Sequence, residues 1–174
     1  MEKVLVSDIM IYLDEYPAVI NTATIREVIE KMETFQITVN ESKSLPRVIL
    51  VLDKKDRLVG FVRRRDILAG LEPSFLQSKM LKYQKKLFDI KIDPGLSELS
   101  FETLIKGLKS RCEKSVSEIM VTDIITINYD DHLIKAINLM VENDITFLPV
   151  MNKNKVVGVA RSIEVFREIA KYIL

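Results

Sequence analysis

The sequence predicts an α/β fold made of two βαββα repeats with a helical connector between them, and three observations predict it. Ser7-Asp8-Ile9-Met10 returns as Ser117-Glu118-Ile119-Met120. The apolar face Ile25, Val28, Ile29 and Met32, at helical steps of three, four and seven, returns as Leu133, Ala136, Ile137 and Met140. Each copy then closes with two apolar runs around a short polar turn, the second run holding a glycine, Gly60 or Gly158. Neither unit is large enough for a comfortable core of its own, so the two are expected to fold against each other and to leave a cleft at their seam.

In the first unit, Ala18-Val19-Ile20 after Pro17 reads as a short buried strand. Thr24 is the N-cap of a helix that begins near Ile25, carries Glu27 in its first turn and ends near Phe35. A polar loop over 40–44 leads to Val48-Ile49-Leu50-Val51-Leu52, a charged turn over 53–57 and a second run ending at Val62, which together read as a hairpin. A last helix begins near Arg65. The second unit follows the same order: a strand over 124–128, Asp130 or Asp131 as cap, a helix over 132–142, a hairpin over 146–160 and a final helix from Ser162. Aligning the glycines gives the first unit ten more residues, which fall in its polar loop, where an insertion costs little loop-closure entropy.

These boundaries divide the chain into repeat 1 (1–70), a connector (71–114) and repeat 2 (115–174). The connector reads as an amphipathic helix opening at Pro73, with Phe75, Leu76, Met80, Leu87 and Phe88 among lysines. A turn at Asp93-Pro94-Gly95 and a second helix capped by Ser100 complete it. It serves either to link the repeats, packed on them or on a second subunit, or as a regulatory arm.

Composition narrows the function. The 26 basic and 25 acidic side chains nearly cancel, so no bulk field draws the chain to nucleic acid or to an anionic membrane. Arg63-Arg64-Arg65 and the connector lysines lack aromatic interleaving or a helix-turn-helix signal, and nucleic acid is not the expected partner. One cysteine, Cys112, and one histidine, His132, allow neither a disulfide within the chain nor a Cys/His metal cluster. His132 reads as a helix-terminal residue. Cys112 has basic neighbours but no histidine base, and no phosphate-binding glycine loop or nucleophile elbow is present, so no catalytic residue is assigned and the chain is not expected to be an enzyme. No signal peptide or membrane-spanning run is evident, and a cytoplasmic location is expected.

The duplicated run from Ser-Asp/Glu-Ile-Met through strand, helix and a hairpin closing on Leu58-Val59-Gly60 or Val156-Val157-Gly158 resembles the cystathionine-beta-synthase (CBS) domain, present as a tandem pair, the Bateman module. The resemblance covers about three quarters of the chain. It implies two domains about a pseudo-twofold axis, sheet against sheet, with a possible regulatory ligand (AMP, ADP, ATP or S-adenosylmethionine) in the clefts, no required cofactor, a homodimer and a regulated partner protein.

The family's ligand signature is Gly, an apolar residue, any residue, Thr or Ser, two more residues, then Asp. Repeat 1 reads Gly60-Phe61-Val62-Arg63-Arg64-Arg65-Asp66 and repeat 2 reads Gly158-Val159-Ala160-Arg161-Ser162-Ile163-Glu164. The carboxylate at the helix start suits the ribose hydroxyls, and the helix N-terminus suits a phosphate. Arginine replaces the hydroxyl residue in both copies. It could bind phosphate bidentately, fill the cleft, or reach a carboxylate across it. The resemblance thus implies Gly60, Arg63, Asp66, Gly158, Arg161 and Glu164 as ligand contacts, with Arg47 before the middle strand and Thr126 on the first strand of repeat 2. Asp66 and Glu164 have a second reading as helix N-terminal carboxylates, Arg47 as a solvated loop residue, and Thr126 as a strand residue. Two functions stay open: a stand-alone regulatory module binding an adenosine-containing ligand, and a ligand-free interaction module whose clefts are filled by arginine.

Overall fold

A computed structural model describes residues 3–72 and 101–174. The readings at Pro73, Asp93-Pro94-Gly95 and Ser100 lie outside the described residues. Repeat 1 comprises β1 (Ile11–Tyr12), β2 (Ala18–Ile20), α1 (Ile25–Thr34), β3 (Ile37–Val39), β4 (Ser42–Ser44), β5 (Val48–Leu52), β6 (Leu58–Arg63) and α2 (Arg64–Leu71). The connector contributes α3 (Phe101–Cys112); repeat 2 comprises β7 (Ile127–Asn128), α4 (Leu133–Glu142), β8 (Phe147–Asn152), β9 (Lys155–Arg161) and α5 (Ser162–Ile173).

The helix boundaries follow from local chemistry. Thr24 caps α1 in a reciprocal box, its Oγ1 accepting from the Glu27 amide at 3.2 Å while Glu27 accepts from the Thr24 amide at 2.6 Å. In repeat 2 the cap is His132 rather than Asp130 or Asp131: its Nδ1 accepts from the Ile134 amide at 3.3 Å. Asp131 instead takes the Asn128 amide at 2.9 Å and Lys135 Nζ at 2.7 Å, so its carboxylate is already engaged in the preceding turn.

In each repeat the first strand runs parallel to the middle strand, β2 to β5 and β7 to β8, and the middle strand runs antiparallel to the last. The polar stretch after α1 is not a plain loop. β3 and β4 pair as a hairpin, Ile37 opposite Ser44, around Asn40 and Glu41, both at positive φ. Only Ile127 and Asn128 join the ladder of the strand expected over 124–128, so Thr126 sits just before β7.

The two Ser-x-Ile-Met motifs each form a single 3-10 turn, and each packs on the opposite repeat. The Val6 amide donates to Asp131 O at 2.9 Å and the Leu133 amide to Val4 O at 3.0 Å; reciprocally, Val116 donates to Ala23 O at 2.8 Å and Ile25 to Lys114 O at 2.9 Å. Val6, Ile9 and Met10 enter the core beneath α4, and Val116 enters the core beneath α1 with Ile119 and Met120 against it. Burying a side chain of this size is worth about 1.5–3 kcal/mol, so each repeat depends on the other's motif for its core.

The same exchange explains the hairpin glycines. β1 pairs antiparallel with β9 across the repeats, and the reciprocal bridge joins Phe61 to Val121. A Cβ at Gly60 would sit 2.8 Å from Met120 Sδ and 3.0 Å from Val121 O, and one at Gly158 would collide with the Ile11 carbonyl oxygen. Between the sheets a third core gathers Ile11, Tyr16, Ile37, Val48, Phe61 and Phe147. The Phe61 and Phe147 rings meet edge to face within it, 4.9 Å apart.

Candidate functional site

Each repeat ends its last strand on an arginine that is also the N-cap of the following helix, with a carboxylate three residues on. That spacing carries the carboxylate back over the cap, where it meets the guanidinium. Asp66 Oδ2 accepts from the Arg63 amide at 2.8 Å and from Arg63 Nε at 2.9 Å, and Oδ1 accepts from Nη2 at 2.9 Å. Glu164 Oε2 accepts from Arg161 Nε at 2.8 Å and Oε1 from Nη2 at 2.6 Å. Both are fork-to-fork pairs, the strong geometry for arginine and carboxylate. The carboxylate oxygens that the resemblance assigns to ribose hydroxyls are bonded to the chain's own arginines.

The surroundings differ. In repeat 1 the pair is partly open, with Arg63 38% and Asp66 12% exposed, and the guanidinium lies over the Phe61 ring at 5.5 Å. Burial pushes the Asp66 carboxyl up, but the hydrogen bonds from Arg63 and the charges of Arg63 and Arg65 outweigh it and hold the group below the usual carboxylate range. In repeat 2 Arg161 is 17% and Glu164 6% exposed. Arg167 adds a second guanidinium 3.9 Å from Glu164, and Arg161 Nη1 lies 3.4 Å from Ser44 Oγ, on β4 of repeat 1.

Tyr16, also from repeat 1, stands close enough for both charges to act on it. Burial raises its phenol above the ordinary range; Arg161 lowers it and Glu164 raises it. Its hydroxyl donates to Val48 O at 3.1 Å. Tyr16 and Ser44 belong to no motif that the sequence displays. A signal existed: aligning the repeats on their helices puts the phenol of Tyr16 opposite Ile124.

Arg47 is exposed and immediately precedes Val48, the register partner of Arg63, so the backbones of Arg47, Arg63 and Arg64 lie at the same end of the β5–β6 pair. Arg47, Arg64 and Arg65 form no ion pair among the described residues. Gly60 and Gly158 lie within β6 and β9, under the crossing segments of the opposite repeat. Thr126 is exposed and makes no hydrogen bond to Arg63 or Asp66 among the described residues.

An open, mainly apolar groove of about 620 Å³, lined by Met10, Tyr12, Leu13, Asp14, Tyr129 and Asn152 among others, contains none of the sequence-predicted residues. Among the described residues no group of three or more His, Cys, Asp or Glu could hold a metal ion, and no helix is long and apolar enough to cross a membrane.

Comparison with solved structures returns the same architecture. A CBS domain-containing protein of unknown function from Bacillus anthracis superposes with a TM-score of 0.64 at 18% identity, covering 97% of this chain and 94% of that one. CBSX2, solved in complex with AMP, gives 0.63 at 17% identity and covers 98% of both chains. A CBS domain pair solved with 5'-methylthioadenosine and S-adenosyl-L-methionine gives 0.59 at 17% identity, covering 98% of this chain and 99% of that one. No curated protein sequence matches the chain. The family model of the CBS domain matches twice, over residues 6–72 and 116–171, and with the duplicated topology this places the chain in the CBS domain family, as a tandem pair.

Proposed function

We propose that this CBS pair is a non-catalytic regulatory module that binds an adenosine-containing ligand in the cleft holding Arg63 and Asp66 and reports its occupancy to a partner protein. The observation that carries the reading is the partly open Arg63–Asp66 pair at the start of α2, within electrostatic range of Arg65, which forms no ion pair among the described residues. On ligand entry Arg63 turns from the carboxylate to a phosphate, and Asp66 is freed to accept two ribose hydroxyls. The exchange trades one set of charge-assisted hydrogen bonds for another, so its cost is small beside the burial of the adenine ring. The relatives solved with AMP and with S-adenosyl-L-methionine support an adenosine ligand in this fold.

A ligand can bias the repeats only through different affinity for two of their arrangements. The reciprocal exchange of the Ser-x-Ile-Met motifs gives such a bias a path, because a shift in one repeat moves part of the other's core. The module is read as stand-alone, cytoplasmic and homodimeric. Ile134 and Val141 on α4 and Ile163, Phe166 and Ile173 on α5 are exposed, which supports association through these helices.

A second reading, a ligand-free interaction module closed by arginine, is favoured by the bidentate pairs themselves, above all the buried Glu164. Thermal unfolding with AMP, ADP, ATP, S-adenosylmethionine and NAD separates the two. A ligand at a hundred times its Kd adds about 2.7 kcal/mol, and Asp66→Ala is expected to abolish the shift. An unmoved midpoint with every ligand at millimolar concentration decides for the ligand-free module.

A further inference from the structure

We infer that the chain plugs its own second cleft: the β3–β4 hairpin, Tyr16 and Arg161 hold the Glu164 cleft shut, so that each CBS pair takes one adenosine ligand, at Asp66. The stoichiometry rests on the function proposed above, whereas the plug itself does not. The ten residues by which repeat 1 exceeds repeat 2 lie largely between α1 and β5, where the chain builds the β3–β4 hairpin. The hairpin is anchored at its base, since Ile37 is 1% exposed within the core shared by the repeats. Its far strand brings Ser44 to the guanidinium of Arg161, which belongs to the other repeat. Arg161 is thereby held from two sides, by both oxygens of Glu164 and by Ser44.

Tyr16, from repeat 1, lies in the core between the sheets, within electrostatic range of Arg161 and Glu164. It is 4% exposed, and its hydroxyl is committed to Val48 O. A ligand reaching Glu164 would have to displace a guanidinium that is 17% exposed and bonded to both Glu164 and Ser44, beside a hairpin rooted in the core. Among the described residues, the Arg63–Asp66 pair has no counterpart of this cover. Repeat 2 goes from α4 to β8 without a hairpin, and Ile124 stands in the place of Tyr16. The insertion therefore determines which of two similar motifs remains available.

Amide hydrogen exchange on the ligand-free full chain tests the plug without any ligand. In Arg161→Ala the amides of residues 37–44 are expected to exchange roughly tenfold faster, while those of β5 and β8 keep their rates, because local opening is governed by local contacts. Should Arg161→Ala fail to fold, Ser44→Ala leaves the Arg161–Glu164 pair in place and is expected to give the same change at smaller amplitude. Hairpin exchange that stays at the wild-type rate overturns the plug. Calorimetric titration with ATP and with AMP then reads the consequence. One equivalent per chain, abolished by Asp66→Ala, supports it; two equivalents overturn it and leave the proposed function standing. If neither nucleotide binds, the proposed function and the stoichiometry fall, while the exchange rates still decide the plug.

Discussion

The two arginine–carboxylate pairs are built on one local plan and sit in unlike surroundings. Both put arginine at a helix cap and the carboxylate three residues later, and both form two-pronged pairs. Arg63 nevertheless keeps 38% of its side-chain surface in solvent, whereas Arg161 keeps 17% and also meets Ser44 of the β3–β4 hairpin. The helix-cap spacing dictates that a pair forms; in repeat 2 the opposite repeat adds a contact to it.

That comparison is most easily broken at the arginines. Arg161→Ala leaves Glu164 buried with only Arg167, 3.9 Å away, to compensate its charge, and is expected to lower unfolding stability in urea by about 3–5 kcal/mol. Arg63→Ala removes a pair whose guanidinium is well solvated, so screening limits the loss to about 1 kcal/mol or less. Equal losses would show that the two environments do not differ energetically. Glycine replacement repeats the contrast on the backbone. Gly158→Ala drives a methyl into the Ile11 carbonyl and is expected to cost about 1–3 kcal/mol; Gly60→Ala, opposed first by the flexible end of Met120, is expected to cost less.

A smaller effect is expected in acid. The Asp66 carboxyl is held below its ordinary range in the folded chain, so its contribution is fully present above the unfolded value, about 3.9, and is lost as the pH falls through the folded one. Asp66→Asn should therefore flatten the stability profile below about pH 4, measured by urea midpoints across that range. An unchanged acid limb would mean that Arg63 does not hold the carboxylate in solution. The smallest effect on folding is expected from Phe166→Glu on the exposed face of α5: a near-normal midpoint, with loss of the proposed dimer in sedimentation, and a wild-type chain that sediments as a monomer would contradict that assembly.

Much of the fold was legible because the helical and strand periodicities occur twice in the same order, and the boundaries at Thr24, Phe35 and Ser162 follow from caps and strand ends. The exchange of the Ser-x-Ile-Met motifs was not legible. The apolar spacing of Val6, Ile9 and Met10 says that they are buried, and says nothing about which repeat buries them. The β3–β4 hairpin was hidden by its composition, since Ser42, Lys43 and Ser44 are all exposed and lack the apolar alternation of a core strand. At the candidate site, the arginine substitution and the carboxylates could be read from the signature, but the carboxylate in reach was expected across the cleft, whereas each arginine pairs with the one three residues on in its own repeat. The asymmetry could not be read, because it arises from Tyr16 and Ser44, residues that belong to the other repeat and to no motif.

The central claim, one usable cleft at Asp66 opened by the release of Arg63, is tested most directly by a crystal structure of the full chain grown with saturating ATP. The account predicts nucleotide in a single cleft, its ribose on Asp66 and Arg63 turned onto a phosphate, with Arg161 still paired to Glu164. Nucleotide seated against Glu164, or in both clefts alike, would contradict it.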